Sequence, residues 1–209
     1  MPVPGEYFRI AFHAALLWMA CGLTLSAQVK RENGIMKDGK KEGVWEFFYP
    51  DGVLMARENY FNGLLHGEAL SFHPNGSLAQ KENWKNDVLQ DSAWYFHPNG
   101  KIHRLGIYLN GVYNGCWLTY FPGGKLEQQG CYENGQPEGL FTNWYESGNL
   151  RETGHYHEGR KEGQFVFYRD DRKEKISILA SYCNNVPCGL WIWFNRRGKP
   201  AISAPAPSQ

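Results

Sequence analysis

The sequence lacks an excess of charge of either sign. Its 22 Lys and Arg stand against 21 Asp and Glu, a formal net charge of +1. An electrostatic nucleic-acid binder normally shows a basic face, so nucleic acid is not expected as a partner. After residue 28 no segment has a convincing helical period. The chain also lacks a nucleophile elbow, a phosphate loop, a zinc-protease helix and a dinucleotide fingerprint. Carboxylates are plentiful, but nothing marks a pair as an acid and a base. An enzyme is therefore not expected, and no cofactor is implied. The histidines after residue 28 are His66, His73, His97, His103, His155 and His157. Ligation of a metal needs three or four converging groups, and no such set is evident, so these histidines read as surface residues.

What the chain has is a repeat. One glycine position runs Gly39, Gly63, Asp87, Gly111, Gly135, Gly159, with a constant step of 24 residues. A second runs Gly43, Gly67, Asp91, Gly115, Gly139, Gly163, Gly189, and a third Gly52, Gly76, Gly100, Gly124, Gly148. An aromatic column closes each unit: Tyr60, Trp84, Tyr108, Tyr132, Tyr156, Tyr182. The sixth unit slips by two residues within Arg169-Asp-Asp-Arg-Lys-Glu-Lys175, and the seventh stops after Gly198. A fixed period in this range is the signature of a repeat architecture.

Each unit carries two turn signals. Pro50-Asp-Gly52, Pro74-Asn-Gly76, Pro98-Asn-Gly100 and Pro122-Gly-Gly124 fit a hairpin turn that closes with a left-handed glycine. Asn62-Gly63, Asn110-Gly111 and Asn134-Gly135 fit the type I′ turn, both of whose central residues need φ > 0. Between the turns lie aromatic and branched runs such as Val44-Trp-Glu-Phe-Phe-Tyr49 and Leu190-Trp-Ile-Trp-Phe194, which favour strands. The expected fold is all-β: an elongated antiparallel meander of hairpins in an open, twisted sheet. About thirteen strands at roughly 4.8 Å spacing make an array on the order of 60 Å long.

The Pro-type turn sets a register that places Phe48 opposite Leu54, Phe72 opposite Leu78, Phe96 opposite Ile102, Tyr120 opposite Leu126 and Trp144 opposite Leu150. With Tyr168 and Phe194, these aromatics are expected to stack as the apolar side. The other face carries Trp45, Trp117, Phe141, Phe165 and Trp191. In a single-layer sheet some of these must be exposed or line a groove, and exposed aromatics anchor interfaces. They are the expected binding residues.

The pattern Gly-x-Trp-x-x-Tyr/Phe-x-Pro-x-Gly-x-Leu, followed by Tyr-x-Asn-Gly, resembles the MORN-repeat variant of bacterial proteins labelled YwqK-like antitoxins. The resemblance covers residues 33–198. It implies an elongated sheet used for assembly and sometimes for lipid contact. The third unit departs from the pattern at Asp87, Asp91 and Ala93.

Residues 1–27 read as a secretory signal peptide: Arg9 in the positive start, an apolar run from Ile10 to Leu25, and small residues at Ser26-Ala27. The run is short for a membrane anchor. A third reading makes Cys21 a lipidated amino terminus. Residues 28–33 are a polar lead-in, 34–198 the array and 199–209 a Pro-rich disordered tail. Export makes disulfides feasible. Cys183 and Cys188 flank one turn and are placed to staple the final hairpin. Cys116 and Cys131 share a hairpin, but the register above puts Cys116 opposite Gly130, with the two sulfurs on opposite faces. A one-residue shift would pair them. The chain thus reads as an exported, non-enzymatic array that binds a protein, or a glycan or membrane surface. The alternatives are an envelope scaffold and an antitoxin that neutralises a toxin protein.

Overall fold

The computed structural model describes residues 32–206. The signal-peptide and Cys21 readings fall outside the described residues. Fifteen strands follow one another in a single antiparallel sheet, each paired with its neighbours in sequence. They are β1 Glu32–Lys37, β2 Lys40–Phe48, β3 Leu54–Phe61, β4 Leu64–Phe72, β5 Leu78–Lys85, β6 Val88–Phe96, β7 Ile102–Leu109 and β8 Val112–Tyr120. The series continues with β9 Leu126–Glu133, β10 Gln136–Trp144, β11 Leu150–His157, β12 Arg160–Tyr168, β13 Ile176–Cys183, β14 Val186–Phe194 and β15 Pro200–Pro205. Strands stack at about 4.8 Å, so the array runs roughly 65 Å from β1 to β15.

The turns follow the repeat. Asn62 and Gly63 have φ of 52° and 85°, Asn110 and Gly111 53° and 80°, as the type I′ turn requires. Asn86-Asp87 and Asn184-Asn185 take the same conformation without glycine.

Register matches expectation beside the Pro-type turns: Phe48↔Leu54, Phe72↔Leu78, Phe96↔Ile102, Tyr120↔Leu126 and Trp144↔Leu150 are all partners. One residue further the ladder slips. Thr119 pairs with Gln128, so Glu127 is an extra residue on β9. Such a bulge moves every later pair by one position. Cys116 therefore faces Cys131, and Trp117 faces Gly130. This corrects the expectation that Cys116 and Cys131 point to opposite faces.

The bulge also corrects the location of the core. Trp45, Trp117, Phe141 and Phe165 are buried, Trp117 at 4 % exposure and Phe165 at 1 %. Phe48, Phe72, Phe96, Tyr120, Trp144, Tyr168 and Phe194, expected as the core, are only half-buried on the opposite face. The reason lies in the middle row of the aromatic face. Trp117 sits between Gly106 and Gly130, Phe141 between Gly130 and Gly154, and Phe165 between Gly154 and Ala180. Each large ring lies flat over a residue with little or no side chain. A Cβ on Gly106, Gly130 or Gly154 would overlap the ring that covers it.

The tail is also corrected. Pro200–Pro205 forms β15 on β14, with Ala204 opposite Trp191 and Ile202 opposite Trp193. Without β15, β14 would be an edge carrying a Trp-Ile-Trp run. Proline is tolerated in such a terminal edge strand.

Candidate functional site

Neighbouring hairpins are tied along both edges by the same positions in successive repeats. On the Pro-turn edge the Tyr49 hydroxyl donates to the carbonyl of Phe72 at 2.8 Å, His73 Nε2 to Phe96 at 2.9 Å and His97 Nε2 to Tyr120 at 2.8 Å. Tyr145 and Arg169 make the same bridge to Tyr168 and Phe194. His73 and His97 are thus structural rungs. On the other edge Glu42, Glu138 and Glu162 accept the turn N–H of Asn62, Glu158 and Asn184. His157 pairs with the same Glu138 at 3.1 Å. That contact holds the imidazole charged above its usual range, through the hydrogen bond first and the carboxylate charge second. Among the described residues no three His, Cys, Asp or Glu side chains converge.

The expected binding set does not form a surface. Trp45, Trp117 and Trp191 each donate an indole N–H to a carbonyl of the preceding strand, those of Ile35, Ile107 and Ser181, all at 3.2 Å. Each indole therefore lies against its own sheet. Trp117, Phe141, Phe165 and Trp191 join Tyr108, Tyr132, Tyr156 and Tyr182 in a chain of edge-to-face and tilted contacts from Tyr108 to Trp191, with Tyr113 between Trp117 and Tyr132, while Trp45 meets Phe47 and Tyr60. Such pairs add to area burial. Burial pushes the Tyr156 phenol up to about 12, with nearby Glu152 second.

Across the first three repeats the middle row changes composition. Ala69 and Ala93 stand where the other units have an aromatic, and Glu58 and Glu82 stand where they have Gly or Ala. The volume is exchanged between facing strands, and a polar network enters. Glu82 accepts the Tyr95 hydroxyl at 2.7 Å, and Tyr95 meets Tyr108 at 3.1 Å. Glu58 accepts Tyr60 at 2.6 Å. The Arg104 guanidinium lies over Tyr95 and Trp117 and donates to the Tyr113 hydroxyl at 2.9 Å. Burial drives the Glu82 carboxyl above the usual range, against the opposing hydrogen bond from Tyr95 and the charge of Arg104.

Two surface features escaped the sequence reading. The first is a strip on the opposite face beside the Asn-Gly turns. Phe61, Leu64, Val88, Ile107, Leu109 and Val112 are all exposed, Phe61 at 53 % and Leu109 at 47 %. Phe61 faces Leu64, and Leu109 faces Val112. Their signal was an apolar residue on each side of two turns, with Val88 facing Lys85 at the turn between them, where other units carry Lys37 and Lys40 or His157 and Arg160. The second is a cluster of cations at the turns after β12 and β14.

The cysteines are joined as Cys116–Cys131 and Cys183–Cys188. Both disulfides lie on the face of the apolar strip, where Cys116 is exposed.

Comparison with protein families matches residues 41–62, 65–86, 113–134 and 137–158 to the family described as MORN repeat variant. These four units are MORN-type repeats, and the strands on either side continue them into one array. No curated protein matches the chain. A solved structure titled "Crystal Structure of TcdB2-TccC3" aligns at 11 % identity and a TM-score of 0.20. The alignment covers 77 % of this chain and 12 % of that one, so this chain spans about an eighth of that chain's length.

Proposed function

We propose that this MORN-type array is an exported, non-enzymatic protein that docks a protein partner through the apolar strip of Phe61, Leu64, Val88, Ile107, Leu109 and Val112. The observation that carries the reading is the exposure of those six side chains on adjacent hairpins. Contiguous apolar patches on a soluble surface mark contact sites, and a few central residues dominate such contacts. A protein is favoured over a glycan because Trp45, Trp117, Phe141 and Phe165, the rings that would stack on sugars, are buried. Export rests on the apolar leader in the sequence and is supported by two disulfides, which persist in oxidising compartments.

The test combines cell fractionation with crosslinking in the native envelope, comparing wild type with an Ile107→Ser, Leu109→Ser variant. Expected are a processed, envelope-associated product and a defined crosslinked band that the variant loses at unchanged melting temperature. An unprocessed cytoplasmic product would defeat the export reading and favour capture of a toxin protein there. A band that survives in the variant would remove the strip as the docking surface.

A further inference from the structure

The two-residue insertion that breaks the repeat lies in the turn between β12 and β13. The equivalent turns, such as 73–77 and 97–101, have five residues, whereas this one, 169–175, has seven. It packs beside the turn 195–199. Lys175 Nζ donates to the carbonyl of Arg196 at 2.9 Å, and Arg169 donates to that of Phe194 at 2.6 Å. Two cations thus fasten the pair of turns together.

Across the two turns stand seven Lys and Arg against three Asp and Glu, a local excess of four in a chain of net charge +1. The three carboxylates are occupied within the fold. Asp170 accepts from Ser147 and Asn149, Asp171 from the backbone of Lys173 and Lys175, and Glu174 from the backbone of Leu150. Arg172, Lys173, Arg196, Arg197 and Lys199 are exposed. Their side chains have no hydrogen bond or ion pair with any described residue. The three carboxylates are thus tied to this turn and its neighbour, Asp170 and Glu174 at exposed positions, while the five exposed cations remain in excess over them.

We propose that these paired turns are a second docking site, for an acidic, extended segment of a protein partner. The site is distinct from the apolar strip and does not depend on it. The two ranks of cations lie two strands apart, roughly 9.6 Å. In an extended chain every second side chain shares one side at about 7 Å intervals, so successive carboxylates reach both ranks. A small anion fits poorly, because small-ligand sites are concave and these turns project from the sheet edge. A bilayer is disfavoured because Asp170-Asp-Arg-Lys-Glu174 and Arg196-Arg-Gly198 offer no aromatic or aliphatic residue to enter it.

The test uses a fluorescent ten-residue Glu-rich peptide and the full chain, read by anisotropy at low and at physiological salt. Binding that weakens with salt is expected. The variant Arg172→Ser, Lys173→Ser, Arg196→Ser, Arg197→Ser should lose about tenfold or more in affinity at an unchanged melting temperature. The Ile107→Ser, Leu109→Ser variant should bind the peptide as wild type does. No binding at low salt, or equal affinity in the four-site variant, overturns the proposal. So does capture of phosphatidylglycerol vesicles or of an oligonucleotide when the peptide is not captured, and so does displacement of the peptide by millimolar inorganic phosphate.

Discussion

Trp117 lies flat across Gly106, and its indole N–H reaches past that residue to the carbonyl of Ile107 at 3.2 Å. Gly106 has an ordinary backbone conformation, so its role is to leave room: a Cβ there would enter the indole ring. The same arrangement recurs at Gly34 with Trp45, Gly130 with Phe141 and Gly154 with Phe165. A single-layer sheet gains a core in this way, by laying large rings over neighbours that have no side chain.

Trp117→Ala should therefore destabilise the protein by about 3–5 kcal/mol, the usual cost of emptying a buried aromatic site. Tyr120→Ala should cost less, since Tyr120 is only half-buried. Gly106→Ala should approach the cost of Trp117→Ala, and the two changes together should cost less than their sum, because the second removes what the first displaces. Thermal melts of the three single variants and the Gly106→Ala, Trp117→Ala double variant decide it. A Tyr120→Ala variant that melts below Trp117→Ala would return the core to the opposite face.

The repeat period made the hairpins, both turn types and the near-turn register legible, because each is set by local residues. The extra residue on each odd strand from β3 to β15 was not, since Glu127 or Met55 carries no bulge signature of its own. Missing it inverted the two faces and, with them, the candidate site. A signal was present two positions before the aromatic column: Gly106, Gly130, Gly154 and Ala180 precede Tyr108, Tyr132, Tyr156 and Tyr182. Small residues recurring on that face imply something large lying over them. The apolar strip and the cationic turns stayed hidden because they depend on which strands become neighbours.

Glu82 should make stability depend on pH. Burial raises its carboxyl pKa above the unfolded value. The group therefore contributes stability that is fully present below the ordinary glutamate pKa and is lost as pH rises through the raised one. Glu82→Gln should remove that dependence and raise the neutral-pH melting temperature by about 2–4 °C, roughly 1 kcal/mol for a chain of this size. Melts between pH 4 and 8 should show the curves of the two proteins converging on the acid side. A variant that melts lower at neutral pH would mean that the carboxylate is needed by Tyr95 or Arg104.

Reducing agent should lower the melting temperature. Cys116 and Cys131 are 15 residues apart and Cys183 and Cys188 five. In the chain-entropy account a 15-residue closure stabilises by about 3 kcal/mol, and shorter loops by less. The Cys116→Ser, Cys131→Ser variant should accordingly melt below the Cys183→Ser, Cys188→Ser variant, and reductant should shift wild type further than either. No shift in wild type on reduction would mean that the thiols are unpaired in solution.

The Asn-Gly turns offer a comparison that separates backbone conformation from packing. Gly111 has φ of 80° and its N–H donates to the carbonyl of Leu89 at 2.9 Å, so this turn also joins its hairpin to the one before. Asp87 and Asn185 hold the equivalent place at φ of 64° and 70°, which shows that a short polar residue is accepted. A β-branched residue resists φ > 0, whereas a Cβ added at Gly111 would meet Val88 only at an ordinary 3.7 Å, so the cost lies in the backbone. Gly111→Asn should cost about 1 kcal/mol or less and Gly111→Val about 1–3 kcal/mol or more, the range for a residue forced into an unfavourable backbone region. In a linear array the damage should reach the neighbouring hairpin first, so amide exchange should speed up at Leu89 and Val112 before it does at Tyr156. Equal melting temperatures for the two variants, or exchange that rises evenly along the sheet, would remove this turn as the point where adjacent hairpins are coupled.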